Sequence, residues 1–377
     1  MVSGGARVDP RSRQPVRCLR WSGRVMESGG ARVDPPPGLS YRAAGVDVQA
    51  KERLLARMAS SIRATHSPRV LAGVGAFAGA LALLPSERDA VLLATTDGVG
   101  TKTLLARRLG QDAVIGRDIV AHCANDLVAQ GARPLAFLDY IAMSRLDDDL
   151  VATLLAAMAE ACRALDVALL GGETAEMPDV YAANAYDVVG TMVGLAPAEG
   201  LITGARIRPG DRLLGLPSTG LHTNGYTLAR RVLETAPAAL HAVLDDRGTT
   251  VAEALMAPHR CYAPEVLGLL AAVRVRGIAH VTGGGLGANL RRVLPEGCAA
   301  RLRRVWPQPP VFGWLRRAGG LSEDEMAATF NLGIGMVLVV APRDLPVALA
   351  HFQRSGLPAH EIGEISLAAR AAELLCC

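Results

Sequence analysis

Residues 92–103 read Leu-Leu-Ala-Thr-Thr-Asp-Gly-Val-Gly-Thr-Lys-Thr and join an apolar run to a polar, glycine-rich turn. The apolar residues 91–94 predict a buried strand, and a turn at the end of such a strand places polar groups at a sheet edge, where ligands commonly bind. Asp97 is the carboxylate of this turn and a candidate ligand of Mg²⁺. An ordinary strand and turn with solvated side chains is the alternative.

Four neighbours of Asp97 favour phosphate binding. Gly98 and Gly100 allow backbone N–H groups to approach phosphate oxygens, with Thr101 beside them, and Lys102 can add a point charge. The chain has 40 basic residues, of which only Lys51 and Lys102 are lysines. A lysine inside a glycine turn of an arginine-rich chain indicates a chemical need for the smaller head group.

Composition limits the class of protein. A chain of 377 residues with 50% hydrophobic residues predicts two domains with a large core. The net charge of +4 gives no strong nucleic-acid or membrane signal. The cysteines are scattered and form no C-x-x-C pair, which favours neither a zinc site nor a disulfide framework. We therefore expect a cytoplasmic protein without nucleic-acid or membrane partners.

Residues 1–38 are rich in Arg, Gly and Pro and contain a direct repeat, Ser-Gly-Gly-Ala-Arg-Val-Asp-Pro, at positions 3–10 and 28–35. They predict a disordered leader or a translation start set too far upstream, and a transit peptide remains an alternative. Residues 70–85 carry no charge and are mostly apolar, but the segment is too short to span a membrane. They predict a glycine-rich loop followed by a buried helix.

Helical spacing predicts helices over residues 48–62, 118–130 and 150–165. In 118–130 one face is apolar, and the opposite face carries a stripe of polar residues: Asp118, His122 and Asn125, with Asp126 beside them. This stripe predicts either a solvated helix face or, with Asp97, a metal site.

Further strands are predicted at residues 135–142, 167–170 and 187–195, and the second of them ends in Gly171-Gly172-Glu173, another glycine and acid unit. Residues 202–210 are polar and rich in turns. We place the domain boundary there, with an N-terminal domain over 39–205, a C-terminal domain over 206–370 and a tail over 371–377.

The second half has its own glycine loops. A strand at residues 211–216 precedes a loop at 218–226 that holds His222, Thr223 and Asn224, and a helix follows to residue 234. The loop at 278–287 holds His280 and leads into a helix at 286–294. Loops before a helix start favour anions. A strand within 329–341 and a helix and strand within 351–365 complete the domain.

These units together favour a nucleotide and a second phosphorylated ligand bound between the domains. Magnesium and phosphate chemistry needs carboxylates for the metal and N–H groups for the phosphates. The candidate metal ligands are Asp97, Asp118, Asn125, Asp126 and Glu173. His222 and His280 lie in glycine loops, where acid–base or phosphate contact is as reasonable as a structural role. The sequence contains no Walker A, dinucleotide-binding or serine-hydrolase motif.

The motifs resemble the phosphoribosylformylglycinamidine cyclo-ligase (aminoimidazole ribonucleotide synthetase) family over residues 40–365. The resemblance rests on a series of motifs in order: Tyr41 with Ala44-Gly-Val-Asp47, Thr96-Asp-Gly-Val-Gly-Thr-Lys102, Asn125-Asp-Leu, Phe137-Leu-Asp-Tyr140, Gly171-Gly-Glu-Thr-Ala-Glu-Met-Pro178, His222-Thr-Asn-Gly-Tyr226, Thr282-Gly-Gly-Gly285 and Phe330-Asn331.

The resemblance implies a two-domain α/β fold and a homodimer whose N-terminal sheets join into a barrel. It implies ring closure of formylglycinamidine ribonucleotide, with ATP, to aminoimidazole ribonucleotide, ADP and phosphate, in de novo purine synthesis. ATP phosphorylates the formyl oxygen, and a nitrogen of the amidine side then attacks that carbon and expels phosphate. Mg²⁺ is implied as cofactor, with K⁺ as an optional cation.

Carried over by position, the resemblance gives each motif a role. It implies catalytic roles for Asp97, Lys102, His222 and His280. The implied ligands of ATP or phosphate are Gly98, Gly100, Thr101, Lys102, Asn125, Gly171, Gly172, Thr223, Asn224, Thr282, Gly283, Gly284 and Gly285. The implied metal ligands are Asp97, Asp118, Asp126 and Glu173.

The chain departs from many relatives at three positions. Ala76 and Ala78 replace glycines, which stiffens a loop that could close over the site, and Ala59 replaces a lysine. The rival readings are other ATP-using enzymes of the superfamily, of the thiamine-monophosphate kinase, selenophosphate synthetase, hydrogenase-maturation dehydratase or amidotransferase type. A non-catalytic nucleotide-binding homologue is a rival of another class. The intact motifs at Asp97 and His222 argue against a non-catalytic homologue.

Overall fold

A computed structural model describes residues 48–73, 79–367 and the backbone of 374–376. The predictions made for the leader 1–38, for the motif at residues 41–47, for Ala76 and Ala78, and for most of the tail lie outside these residues. The described residues form one compact unit.

The strands and helices alternate along most of the chain. The strands are β1 Val70–Ala72, β2 Ala80–Leu81, β3 Ala90–Gly98, β4 Arg133–Met143, β5 Ala168–Glu176, β6 Tyr186–Pro197, β7 Arg212–Pro217, β8 Gly277–His280, β9 Cys298–Leu302, β10 Ile334–Val340, β11 His360–Leu367 and β12 Leu374–Cys376. The helices are α1 Val48–Arg63, α2 Lys102–Leu109, α3 Asp112–Ala129, α4 Asp148–Ala164, α5 Tyr226–Thr235, α6 Val251–Leu255, α7 Ala263–Leu270, α8 Gly285–Arg291, α9 Pro310–Gly319, α10 Glu323–Thr329 and α11 Leu345–Arg354.

The first half of the chain forms a four-stranded sheet in the order β3-β6-β4-β5, here called the N-terminal sheet. Only β4 and β5 run parallel to each other, as expected for two strands joined by the helix α4. Helices α3 and α4 pack side by side on one face of this sheet. Gly190 permits the close approach of α3, because a Cβ there would lie 2.6 Å from the Phe137 ring and 2.8 Å from Ile119.

The second half forms a six-stranded sheet in the order β12-β9-β11-β7-β10-β8. Strand β10 is apolar and buried along its whole length, because both faces of this sheet are covered. Met336 and Leu338 join the same core as Ile119 of α3, whereas Val337 and Val339 face a second core. One hydrophobic core therefore runs through both halves of the chain.

Most predicted elements are confirmed, and the α/β class with them. The predicted apolar face of α3, at Ile119, Cys123 and Leu127, is buried, although the helix begins six residues before the predicted start. Two predictions of turns are wrong. Asp97 lies within β3, and Gly171 and Gly172 lie within β5, because neighbouring strands continue to pair with both segments.

The predicted buried helix within residues 70–85 is wrong. The described residues of this segment form the short antiparallel pair β1 and β2. Glycine has a low helix propensity, and Gly73 and Gly79 adjoin these two strands. None of the helices in the described ranges is long and apolar enough to cross a membrane.

Candidate active site

The polar stripe of α3 is not a solvated helix face. Asp118, His122 and Asn125 are all buried, and Asp126 is partly exposed. The stripe is covered by segments from the second half of the chain, which approach α3 through residues 257–262 and the strand β8. The stripe therefore forms a polar contact between the two halves.

Asp97 lies at the end of β3 beside His122. Its Oδ1 accepts a hydrogen bond from the Gly98 N–H at 2.7 Å, and its Oδ2 lies 2.9 Å from His122 Nε2. Partial burial works to raise the pKa of Asp97, but the His122 ring and the Gly98 N–H outweigh it and hold the pKa below its usual value. Asp97 is therefore an ionised, 44% exposed carboxylate.

Asp126 faces the same imidazole and a second one. Its Oδ2 lies 3.8 Å from His122 Nε2, and its Oδ1 lies 2.8 Å from Nδ1 of His280, the last residue of β8. Burial works to raise the pKa of Asp126, but the contact with His280 and the charge of His122 lower it below its usual value. Asp97 and Asp126 are thus the two predicted metal ligands that the fold brings together.

His122 is the centre of this group. Burial works against its protonation, but the negative charges of Asp97 and Asp126 outweigh burial and raise the pKa of His122 above its ordinary value. Its Nδ1 lies 2.8 Å from the Thr223 hydroxyl. His122 was seen as part of the polar stripe but not selected as a site residue.

A cavity of about 390 Å³ opens beside Asp126 and His280. It lies between β3, the end of α3, β8 and α8, and this volume is within the usual range for small-molecule sites. Its other polar lining residues include Thr95, Asn289 and Arg292. The cavity therefore offers carboxylate, hydroxyl and guanidinium groups to one ligand.

The two predicted glycine loops of the second half lie side by side. A Cβ on Gly283 would be 3.3 Å from Asn224 Oδ1. Asn289 holds the second loop, because its Nδ2 donates to the carbonyls of Thr282, Gly283 and Gly285. Gly285 has a φ of +67°, and a Cβ there would lie 2.0 Å from the Ala327 carbonyl oxygen, so only glycine fits.

The predicted role of Lys102 on phosphates is corrected by its burial. The side chain is 0% exposed and its Nζ lies 2.6 Å from Asp118 Oδ2. Nζ also donates to the carbonyls of His222 and Ala257 at 3.0 and 2.9 Å, which uses all three of its hydrogens. Lys102 therefore joins α2 and α3 to the second half and does not face a ligand.

The predicted metal-binding role of Asp118 is corrected for the same reason. Besides Lys102, it binds the backbone N–H of His259 at 2.8 Å through Oδ1, and it has no exposed oxygen. Burial raises the pKa of Asp118 and lowers that of Lys102, while their mutual attraction opposes both shifts. The pair is a buried structural contact.

The predicted ATP-binding role of Asn125 is corrected as well. Its Oδ1 accepts from the Tyr262 N–H at 2.7 Å, and its Nδ2 donates to the Arg260 carbonyl at 2.8 Å and to His259 Nε2 at 3.2 Å. The Asn125 amide therefore uses its oxygen and both of its N–H groups on partners inside the protein. Asn125 clamps residues 259–262 onto α3.

His222 is fully buried, which corrects the expectation that it faces the substrate. It has a φ of +63°, and its ring stacks on His259 with 4.2 Å between ring centroids. Its Nε2 accepts from the Thr219 N–H at 3.3 Å. Burial, and then the nearby positive groups, lower the pKa of His222 well below its ordinary value, so the ring is neutral.

His259 is a residue of the site that the sequence analysis missed. Its Nδ1 lies 3.2 Å from the Thr223 hydroxyl, and its Nε2 lies 3.1 Å from His280 Nε2. Thr223 is thus bonded to two histidines and is not available to phosphate, which corrects its predicted role. His259 lies in an irregular segment with no periodic pattern, so no sequence signal pointed to it.

Glu173, Gly171 and Gly172 do not lie beside Asp97 within one chain. Asp97 pairs with Gly190 of β6, which pairs with Asp139 of β4, which pairs with Gly172 of β5. Three strand spacings of about 4.8 Å separate β3 from β5. The prediction that Glu173 shares a metal ion with Asp97 is therefore wrong within a single protomer.

The remaining predicted residues surround the end of β3 and the second-half loops. Gly100 adopts a left-handed φ of +68°, as its predicted role in a tight turn requires. Thr101 and Thr227 share a hydrogen bond of 3.0 Å between their hydroxyls, and the Thr282 hydroxyl donates to Asn289. Gly98 uses its N–H for Asp97.

Two joined α/β halves, with paired carboxylates and glycine loops around a cavity, are typical of an enzyme that acts on phosphorylated ligands. The chain belongs to the AIR synthase related family: the model of the family's N-terminal domain matches residues 77–196, and that of its C-terminal domain matches residues 208–371.

Curated relatives match nearly the whole chain. A phosphoribosylformylglycinamidine cyclo-ligase of Alkaliphilus oremlandii is 42% identical over 330 residues, which cover 87% of this chain and 97% of the relative. The cyclo-ligase of Cupriavidus pinatubonensis is 45% identical over 329 residues, covering 87% and 93%. That of Myxococcus xanthus is 44% identical over 331 residues, covering 87% and 96%. The resemblance seen in the motifs is confirmed.

Solved structures share the fold at lower identity. Thiamine-monophosphate kinase from Stenotrophomonas maltophilia K279a has a TM-score of 0.63 and 20% identity, covering 88% of this chain and 97% of that chain. Hydrogenase maturation protein HypE in complex with ATP has a TM-score of 0.63 and 20% identity, covering 89% and 94%. These likenesses confirm the predicted two-domain α/β fold and carry no further argument.

Proposed function

We infer that this chain is an enzyme that closes the imidazole ring of aminoimidazole ribonucleotide from formylglycinamidine ribonucleotide and ATP, with release of ADP and phosphate. The observation that carries this function is the identity of 42–45% to curated cyclo-ligases over 87% of the chain. The reaction belongs to purine biosynthesis.

The acidic residues fit Mg²⁺ bound with ATP. Asp97 and Asp126 are ionised, partly exposed and grouped around His122, and Mg²⁺ prefers such oxygen ligands. When bound, the ion would offset the charge of the phosphates. Asp118 and Glu173 are not part of this set, for the reasons given above.

The residues of the chain act mainly by positioning the reactants. The γ-phosphoryl group of ATP passes to the formyl oxygen of the substrate, and ADP leaves. The amidine-side nitrogen then attacks the former formyl carbon, loses a proton, and expels phosphate as the ring closes. Arg292, which is exposed and lines the cavity, supplies the positive charge for a phosphate group that Lys102 cannot supply.

His280 orients Asp126 in this proposal. Both of its ring nitrogens are held, Nδ1 by Asp126 and Nε2 by His259, and its ring is buried. A ring fixed at both nitrogens keeps the Asp126 carboxylate in one orientation. The loop Thr282 to Gly285 next to it, together with Asn224, then borders the space for the phosphates.

The test is the reaction of the purified protein with Mg²⁺, ATP and formylglycinamidine ribonucleotide. ADP release and the aminoimidazole product, measured by a colour reaction, should appear together and only when both substrates are present. ADP without this product would assign the chain to a relative with another acceptor. Binding of ATP without any turnover would instead indicate a non-catalytic homologue.

We propose that the chain forms a homodimer through the open face of the N-terminal sheet. The face opposite α3 and α4 carries the exposed or half-exposed side chains of Leu92, Ala94, Val189 and Val193. Leu92 is 64% exposed, and a row of such residues on one sheet face is typical of a covered surface. Pairing of two such faces is the barrel that the family resemblance implies.

Replacing Leu92 with glutamate is expected to shift the protein from dimer to monomer, because two charges would be buried at the sheet contact. Light scattering after size-exclusion chromatography measures the mass. Leu83→Glu is the matched control, since Leu83 is 54% exposed but lies outside the strands. A Leu92→Glu protein with the mass of the wild type would exclude this surface as the interface.

We also propose domain bounds of 39–205 and 206–370, a cytoplasmic location and an optional K⁺ requirement. One sheet lies in each proposed domain, and the two family models match 77–196 and 208–371. The described cysteines Cys123, Cys162, Cys261 and Cys298 are free thiols, which fits a reducing compartment.

A further inference from the structure

Two imidazoles and one carboxylate of the site lie as close to one another as the ligands of one metal ion do. One ligand atom from each of His122, Asp126 and His280 lies within 4.8 Å of the other two. His122 Nε2 is 3.8 Å from Asp126 Oδ2, and His280 Nδ1 is 2.8 Å from Asp126 Oδ1. Ligands at Zn–N and Zn–O lengths in a tetrahedral site lie roughly 3.4 Å apart. Small side-chain movements therefore bring these atoms to such a geometry.

His122 Nε2 is a buried nitrogen that faces the Asp97 carboxylate without an aligned hydrogen bond. The side chain is 3% exposed, and its 2.9 Å contact with Asp97 Oδ2 is not aligned as a hydrogen bond. Buried polar atoms are rarely left unpaired, because each one costs free energy. This nitrogen points into the same group of carboxylates that holds His280.

The amide of Asn125 fixes the protonation pattern of the neighbouring rings. Its Oδ1 accepts from the Tyr262 N–H and its Nδ2 donates to the Arg260 carbonyl, so the amide orientation is determined by backbone groups. Nδ2 is therefore also the donor to His259 Nε2. His259 consequently carries its proton on Nδ1 and donates it to the Thr223 hydroxyl.

This pattern determines how the two ring nitrogens of His280 are used. Its Nε2 faces the acceptor Nε2 of His259 at 3.1 Å and must donate there. The other ring nitrogen, Nδ1, lies 2.8 Å from Asp126 Oδ1 and is the atom of His280 that could bind a metal ion. A metal ion at this place would be bound by one nitrogen of His280 and by the Asp126 carboxylate.

We propose that His122, Asp126 and His280, which lie beside Asp97, bind a divalent cation of the Zn²⁺ class. Imidazole nitrogen favours Zn²⁺, Co²⁺ and similar ions over Mg²⁺, which prefers oxygen. The outer nitrogens of both rings already have partners, Thr223 for His122 and His259 for His280, as ligating histidines require.

The inference rests on the proposed function in one respect. Asp97 and Asp126 are the residues assigned to Mg²⁺ with ATP, so an ion of the Zn²⁺ class occupies their place and inhibits the cyclo-ligase reaction. The presence of the site itself does not depend on the reaction. It is measured without ATP or substrate, so failure of the proposed function leaves the binding result intact.

The experiment titrates the chelator-treated full chain with Zn²⁺ alone by calorimetry. We expect one tight site per chain, with the Kd raised at least about 10-fold in His122→Asn and in His280→Gln. Asn keeps a polar atom at the position of Nδ1 and removes Nε2, whereas Gln does the reverse. His241→Asn is the control, because His241 is exposed and lies outside the group.

X-ray absorption at the zinc edge of the loaded wild-type protein tests the proposal without any variant. Its result therefore does not depend on whether a variant folds. Scattering from two imidazole rings per zinc is expected. Zinc bound through oxygen alone would overturn the proposal, as would a Kd that His122→Asn leaves unchanged in a folded protein.

Discussion

Replacing Lys102 with methionine is expected to lower the free energy of unfolding by about 3–5 kcal/mol, because it leaves the Asp118 carboxylate charged and unpaired inside the protein. Both side chains are 0% exposed and 2.6 Å apart. The carbonyls of His222 and Ala257 lose their donor at the same time. Against a typical total of about 5–15 kcal/mol, the loss is large. Chemical denaturation followed by circular dichroism measures it.

Two further variants identify the cause. Adding Asp118→Asn to Lys102→Met removes the unpaired charge and keeps the acceptor for the His259 N–H, so it should restore part of the lost stability. Arg117→Met breaks an exposed ion pair, at 2.9 Å, between Arg117 of the same helix, α3, and Glu160 of α4. This change should lower the free energy of unfolding by less than about 1 kcal/mol. A Lys102→Met protein as stable as Arg117→Met would contradict the buried pair.

Replacing Asp97 with asparagine is expected to reduce kcat/KM for ring closure at least about 100-fold, because the site loses one of its two ionised oxygen ligands. The fold should be kept, since an asparagine oxygen can still accept from the Gly98 N–H. Steady-state ADP release and product formation at saturating Mg²⁺ measure the effect. Raising Mg²⁺ above the concentration that saturates the wild type should recover part of the rate.

Asp89→Asn is the matched control for Asp97→Asn. Asp89 is exposed and directly precedes the same strand, so its replacement changes the net charge equally without touching the site. Its rate should equal that of the wild type. An Asp97→Asn protein that retains a third of the normal rate would remove Asp97 from the metal site.

The sequence predicted those parts of the fold that depend on local pattern. The apolar spacing of Ile119, Cys123 and Leu127 located α3, and the strand predicted within residues 329–341 corresponds to β10. Asp97 and Asp126, found from their residue type and motif, are also the carboxylates that the fold brings together. These features follow from periodicity and side-chain chemistry within short segments.

The sequence could not predict which polar residues are covered. Asp118 and Asn125 look like a solvated or metal-binding stripe until residues 257–262, more than 130 positions away, pack on them. Burial by a distant irregular segment leaves no local pattern. His259 was missed for the same reason, and Glu173 was grouped with Asp97 because the strand order of the sheet is not encoded locally.

The lysine at position 102 of this arginine-rich chain has a physical reason other than phosphate binding. The compact ammonium of Lys102 fits between one carboxylate and two carbonyls, where the planar fork of arginine does not match three convergent acceptors. The smaller head group is needed inside the protein and not at a phosphate.

Lys102, Asp118 and Asn125 each make at least one hydrogen bond that crosses from the first half of the chain to the second. Neither half can therefore satisfy its own buried charges and amides when it is alone. A gene cut between the two sheets would yield two fragments with unpaired interior groups, and neither would be a usable module. A hinge motion between the two sheets would break the hydrogen bonds that Lys102, Asp118 and Asn125 make to the second half.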